Sequence, residues 1–149
     1  MKRIPHFACS FAALALALLL GLPAGAAEVN SVFVQTRLDY NAILISGIDV
    51  LFIYDQELVA EVPATKSDWF SGKEAFMETA GDRIDLRSVF IPQGFDSEMM
   101  SLPERRDDAV RVYVFAEHDI SDRAPIDITD MANVLVEINQ FGILVSARD

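Results

Sequence analysis

The sequence predicts an all-β domain, an antiparallel β-sandwich with one short helical insertion. Three observations carry this. About six short runs of β-branched, aromatic and aliphatic residues alternate in polarity or are apolar throughout, as strands in a packed sandwich are. One stretch, near residues 67–80, changes to helical spacing. Helices do not otherwise alternate with strands, which argues against a parallel βαβ sheet.

The first segment is not part of that domain. Lys2 and Arg3 precede an almost unbroken apolar run from Phe11 to Leu22, and "AGAA" then supplies small residues in an A-x-A-like pattern. This is the organisation of a secretory signal peptide, here residues 1–27, cut near Ala26 or Ala27. The run falls short of the roughly 20 apolar residues of a membrane-spanning helix, and no later segment is long and uncharged enough. The expectation is therefore an exported protein, soluble or surface-anchored, with no transmembrane segment, whose single domain covers residues 28–149.

Within that domain, "VNSVFVQTRL" alternates, with Val32 and Val34 on one face and Phe33 and Gln35 on the other, and reads as the first strand. "LDYNAILISG" combines turn formers (Asp39, Asn41, Ser46, Gly47) with the apolar Ile43 to Ile45, and reads either as a loop or as the start of the next strand. "IDVLFIY", Ile48 to Tyr54, is apolar on both faces apart from Asp49, as a strand buried on both sides should be.

The helix follows. Trp69, Phe70, Phe76, Met77 and Ala80 fall on one side with Lys73 at its edge, and at this spacing Trp69 and Phe70 read as docking the helix on the sheet. Thr65 and Ser67 are candidate N-caps, Asp68 suits the positive end of the helix dipole, and Gly81 is a plausible stop. "DRIDLRSVFIPQG" returns to alternation, placing Ile84, Leu86 and Phe90 on one side and Arg87 on the other. "FDSEMMSLPERRDD" reads as a surface loop, with Met99, Met100 and Leu102 able to pack beneath it. "AVRVYVFAEHD" alternates Val110, Val112, Val114 and Ala116 against Arg111, Tyr113, Phe115 and Glu117. "NVLVEIN" and "GILVS" close the chain as a hairpin.

Charge and composition restrict the function. The net charge is −11, and loss of Lys2 and Arg3 makes the exported chain more acidic still. Such a surface repels nucleic acid and anionic lipid. Its simplest role is solubility, and a partner with a basic patch is the alternative. The single cysteine, Cys9, precedes the apolar run and leaves with the signal peptide, so no thiol remains for a disulfide, a metal or nucleophilic catalysis.

His118 is the one histidine beyond the signal peptide, too few for a histidine-based zinc site. Flanked by Glu117 and Asp119, it suits an ordinary surface side chain better than an acid or base. Asp107 with Asp108, Asp119 with Asp122, and Asp127 with Asp130 lack the EF-hand order of ligands and read as solvated surface. There is no GxSxG elbow, P-loop or dinucleotide fingerprint. The expectation is no catalytic residue, no metal and no cofactor.

The order of "VLFIYDQ", "SDWFSGKEAFMETAGDRIDL", "IPQG" and "VRVYVFAEHDISDRA" resembles the type VI secretion lipoprotein family known as TssJ or SciN. The resemblance spans roughly Val32 to Ala124, and it is the shared order of weak motifs that gives it weight. It implies a transthyretin-like β-sandwich with a helical insertion and a non-enzymatic role at the inner face of the outer membrane. The implied partner is the periplasmic part of the inner-membrane protein TssM.

In the family the loop between the first two strands binds that partner. On this chain it corresponds to roughly Arg37 to Gly47, which makes Leu38, Tyr40, Asn41, Ile43 and Leu44 the partner-binding candidates; an aromatic and aliphatic cluster on a loop is hot-spot material. One feature differs from the family. A lipobox places cysteine directly after the apolar run, where this chain reads "GAAEV", so an unlipidated terminus at Ala27 or Glu28 is expected. The alternatives are a generic periplasmic sandwich with a ligand pocket lined by Trp69, Phe95 and Tyr113 or a partner on an exposed strand edge, and a hydrolase using His118 and Asp119.

Overall fold

The computed structural model describes residues 25–37, 45, 47–117 and 123–149. In chain order its elements are β1 (Ser31–Thr36), β2 (Gly47–Ile53), α1 (Lys66–Ala80), β3 (Ile84–Phe90), β4 (Ser97–Met99), β5 (Arg111–Ala116), β6 (Ile126–Asp127), β7 (Asn133–Asn139) and β8 (Gly142–Ala147), with short 3-10 turns between them. The strands form two four-stranded sheets, ordered β4-β1-β7-β8 and β3-β2-β5-β6. The sandwich and, among the described residues, its one α-helix between the second and third strands are as the sequence predicts.

Three features differ from the sequence reading. β1 pairs with β7 in parallel, Val32 opposite Val134 and Val34 opposite Val136, while every other pair is antiparallel. The stretch read as a loop after Gly94 contains β4, which adds to the edge of β1, and Met100 beyond it is buried whereas Met99 is exposed. β6 is a further two-residue strand on the edge of β5.

The inter-sheet core is built by alternation. Val32 and Val34 of β1, Ile48, Val50 and Phe52 of β2, Val112 and Val114 of β5, and Val134, Val136 and Ile138 of β7 are all buried between the sheets. The intervening residues of β2 and β5 turn to the opposite face, where Leu51, Ile53 and Phe115 pack beneath α1 in a second core with Trp69, Leu58 and Ile84. β2 is therefore buried on both faces, which is why its sequence is a nearly continuous apolar run. The face of the other sheet carries no helix among the described residues.

Helix α1 is held at both ends by its own sequence. Of the two candidate caps, Thr65 performs the function: its Oγ1 accepts from the Asp68 N–H at 3.2 Å and donates to the Asp68 carboxylate at 2.8 Å. Gly81 stops the helix at φ 58°, a conformation that costs other residues steric strain, and its N–H donates to the Met77 carbonyl. A second glycine, Gly142 at φ 129°, closes the two-residue turn between β7 and β8.

The chain enters the fold at once. Gly25 and Ala26 are exposed, but Ala27 and Val29 are buried in the inter-sheet core. The Ala27 N–H donates to the Ala109 carbonyl at 2.8 Å and the Glu28 N–H to the Thr129 carbonyl at 2.9 Å.

Candidate functional site

One end of the sandwich gathers the segments that sequence reasoning points to. β1 finishes there, with the Arg37 N–H donating to the Ile138 carbonyl at 3.2 Å and the Arg37 guanidinium paired with Glu137. β2 begins there, Gly47 opposite Phe90, and the Gly47 carbonyl accepts from the Glu117 N–H at 3.1 Å where β5 ends. β1 and β5 therefore finish, and β2 begins, at the end of the sandwich that carries the β7–β8 turn.

The candidates Leu38, Tyr40, Asn41, Ile43 and Leu44 lie outside the described residues, as do His118, Asp119 and Asp122. Their flanks are fixed. Ile45 is buried in the inter-sheet core, and β2 starts only at Gly47, beyond the Ile43 to Ile45 stretch that the sequence allows as its beginning.

The same end carries features that sequence reasoning did not single out. Phe90 is 73% exposed and Phe141 is 69% exposed, the two most exposed large apolar side chains among the described residues. Phe90 does share the side of Ile84 and Leu86, but α1 covers only those two. Phe141 sits at the tip of the β7–β8 turn, its N–H donating to the Asn139 carboxamide at 2.8 Å. Beside it opens a groove between β6 and β8 whose rim includes Lys66 and Arg123. Nothing in the local pattern around these two cations signals that the fold brings them together.

Elsewhere the polar clusters hold the fold. Asp49, the one charged residue of β2, is buried on the helix side; its Oδ2 accepts from Trp69 Nε1 at 2.8 Å and Lys73 Nζ at 2.9 Å, and its Oδ1 from Ser88 Oγ at 2.5 Å. The Asp85 carboxylate accepts from the Tyr54 hydroxyl at 2.8 Å and Arg105 Nε at 3.0 Å, with the guanidinium 3.8 Å over the Tyr54 ring. Burial and the hydrogen bond to Asp85 raise the Tyr54 phenol well above its ordinary value. Burial pushes the Asp85 carboxyl up, but the bonds from Tyr54 and Arg105 outweigh it and hold the group below the usual carboxylate value.

Asp127 accepts from both the N–H and the hydroxyl of Thr129. Among the described residues no three His, Cys, Asp or Glu side chains converge as metal ligands do. Trp69 and Tyr113 pack in the core under α1 while Phe95 packs against the inter-sheet core, so these three do not line a common cavity. No helix among the described residues is long and apolar enough to cross a membrane.

No protein-family model and no curated protein matches the chain. Solved structures do, and two of them are type VI secretion proteins. Serratia marcescens Lip, a membrane-bound component of the type VI secretion system, matches at TM-score 0.51 and 14% identity over 80% of this chain and 97% of its own. The type VI lipoprotein TssJ1 of Pseudomonas aeruginosa matches at TM-score 0.49 and 11% identity over 81% and 98%. The chain thus shares, across nearly the whole length of the Serratia protein, its β-sandwich fold, the fold class that the sequence predicts.

Proposed function

We propose that this chain is a non-enzymatic component of a type VI secretion apparatus, docking the periplasmic part of an inner-membrane TssM-like protein and helping to assemble the envelope complex. The observation that carries the reading is the fold match over 97% of Lip, joined to the ordered motifs of the sequence. The mechanism is docking, with no bond made or broken. The contact surface is the β1–β2 loop, with Leu38, Tyr40, Asn41, Ile43 and Leu44 as its contacts, at the end of the sandwich where Phe90 and Phe141 are exposed.

The test is binding of the exported protein to the purified periplasmic domain of a TssM encoded nearby. Tyr40→Ala and Ile43→Asp are each expected to weaken that binding by about several-fold or more, and unchanged affinity in both removes the loop from the interface.

The exported chain begins, in this reading, at Ala27 and carries no lipid. Ala24, Gly25 and Ala26 satisfy the A-x-A requirement for a cut after Ala26, and Gly25 and Ala26 lie outside the packed domain. A cut one residue later removes a buried core side chain and the hydrogen bond to Ala109. Mass spectrometry of the protein from the periplasm is expected to show an unmodified Ala27 terminus; a terminus at Glu28 or an acylated one contradicts this.

A further inference from the structure

Of the four sheet edges, three are closed to further pairing in recognisable ways. β4 has three residues and β6 two. β3 is longer, but it carries Asp85 and Arg87, and the Arg105 guanidinium lies along it, donating to Asp85 and to the carbonyls of Asp82 and Ile84. Short strands, charges and covering side chains are the usual protections of an edge. Among the described residues, β8 has none of them. Its six residues, Gly-Ile-Leu-Val-Ser-Ala, contain no charge and no proline, and it is the last strand of its sheet.

The β7–β8 turn fixes which backbone groups are free. The closing pair of a two-residue hairpin, here Asn139 with Gly142, exchanges both hydrogen bonds, so Ile143, Val145 and Ala147 turn their N–H and C=O groups to the open edge. Across from this edge, β6 pairs only with Tyr113 and Val114, so that among the described residues β5 has no partner on that side at Ala116. The sandwich consequently opens here into a groove whose apolar wall is made by Val114, Ala116, Ile126 and Ile143. Lys66 and Arg123 stand at its rim, and neither forms an ion pair among the described residues.

We propose that β8 and this groove bind an extended, acidic segment of a partner protein, which adds as a strand to the edge of β8. Its apolar side chains on one face enter the groove and a carboxylate meets Lys66 and Arg123. The pairing supplies main-chain hydrogen bonds and the groove supplies side-chain selection, the division of labour in strand addition. Charge selects the occupant. In a chain of net charge −11 two cations at one groove that form no ion pair among the described residues make a local site for an anion, whereas a second copy brings the same large negative charge and is repelled. The proposal does not depend on the secretion reading.

The test pans a display library of random peptides about ten residues long, enough to span β8, against the exported protein, and measures the enriched peptides by fluorescence anisotropy. Enriched peptides are expected to alternate apolar residues and to carry Asp or Glu towards one end. A Lys66→Glu, Arg123→Glu variant is expected to lose about tenfold or more in affinity. Ala147→Pro removes an outward N–H at a position where an edge strand tolerates proline, and the same loss is expected with the thermal midpoint preserved.

No enrichment, enrichment of basic peptides, or equal affinity for the charge-reversed variant overturns the proposal. Sedimentation showing a dimer that Ala147→Pro dissociates also overturns it, and assigns the edge to a second copy of the chain.

Discussion

Trp69→Ala is expected to cost about 3–5 kcal/mol of folding stability, the range for removing a large buried aromatic side chain, and in a domain of ordinary marginal stability to leave little folded protein. The indole is fully buried, stacked on Phe115 with ring centroids 4.4 Å apart and met edge-on by Phe76 at 5.8 Å. It is also the principal attachment of α1, since Trp69 and Ala80 are the only buried residues of that helix. The loss therefore combines a cavity with detachment of the element that covers Leu51, Ile53 and Phe115. Urea unfolding followed by far-ultraviolet circular dichroism measures it. A variant within about 1 kcal/mol of wild type, below the ordinary cost of such a cavity, means that α1 is held by other contacts.

Asp49→Ala is expected to destabilise by on the order of 3 kcal/mol, the scale for stripping a buried carboxylate from its donors. The substitution leaves the fully buried indole N–H of Trp69 without its acceptor, whereas the hydroxyl of Ser88, on an exposed residue, can turn to water. Lys73 suffers less, because its side chain is 31% exposed and water can solvate the ammonium. Lys73→Ala should accordingly cost about 1 kcal/mol or less, and Asp49→Asn should fall between the two. The same denaturant titrations test this ordering. A larger loss for Lys73→Ala than for Asp49→Ala contradicts the view that the carboxylate serves chiefly the indole.

These two residues show what a sequence can and cannot display. Asp49 stands out as the single charge in "IDVLFIY", but its partners lie on a helix and on a neighbouring strand, and only the fold shows that Trp69, Lys73 and Ser88 converge on it. The main elements were legible because their patterns are local. β2 is apolar on both faces because both are buried, α1 carries its cap and its stop in Thr65 and Gly81, and the last hairpin has its glycine at the turn.

β4 and β6 were not legible. Ser97, Glu98 and Met99 are exposed, and their extended form comes from pairing with Gln35, Val34 and Phe33 of β1. The parallel pairing of β1 with β7 was hidden for another reason: Val32 and Val34 alternate identically whichever way the neighbour runs. For the candidate site, the loop contacts came from the resemblance alone. Phe141, Lys66 and Arg123 became visible only when the fold placed them beside one another.

The central claim is a docking role, and direct binding tests it most simply. Titration of the exported protein into the periplasmic domain of a TssM-like protein encoded nearby, read by calorimetry, is predicted to show a one-to-one complex with micromolar or tighter affinity, about −8 kcal/mol. Tyr40→Ala and Ile43→Asp should weaken it while leaving the unfolding curve unchanged. Absence of heat and of co-migration on gel filtration, with both proteins folded at about 100 µM, far above that dissociation constant, contradicts the account.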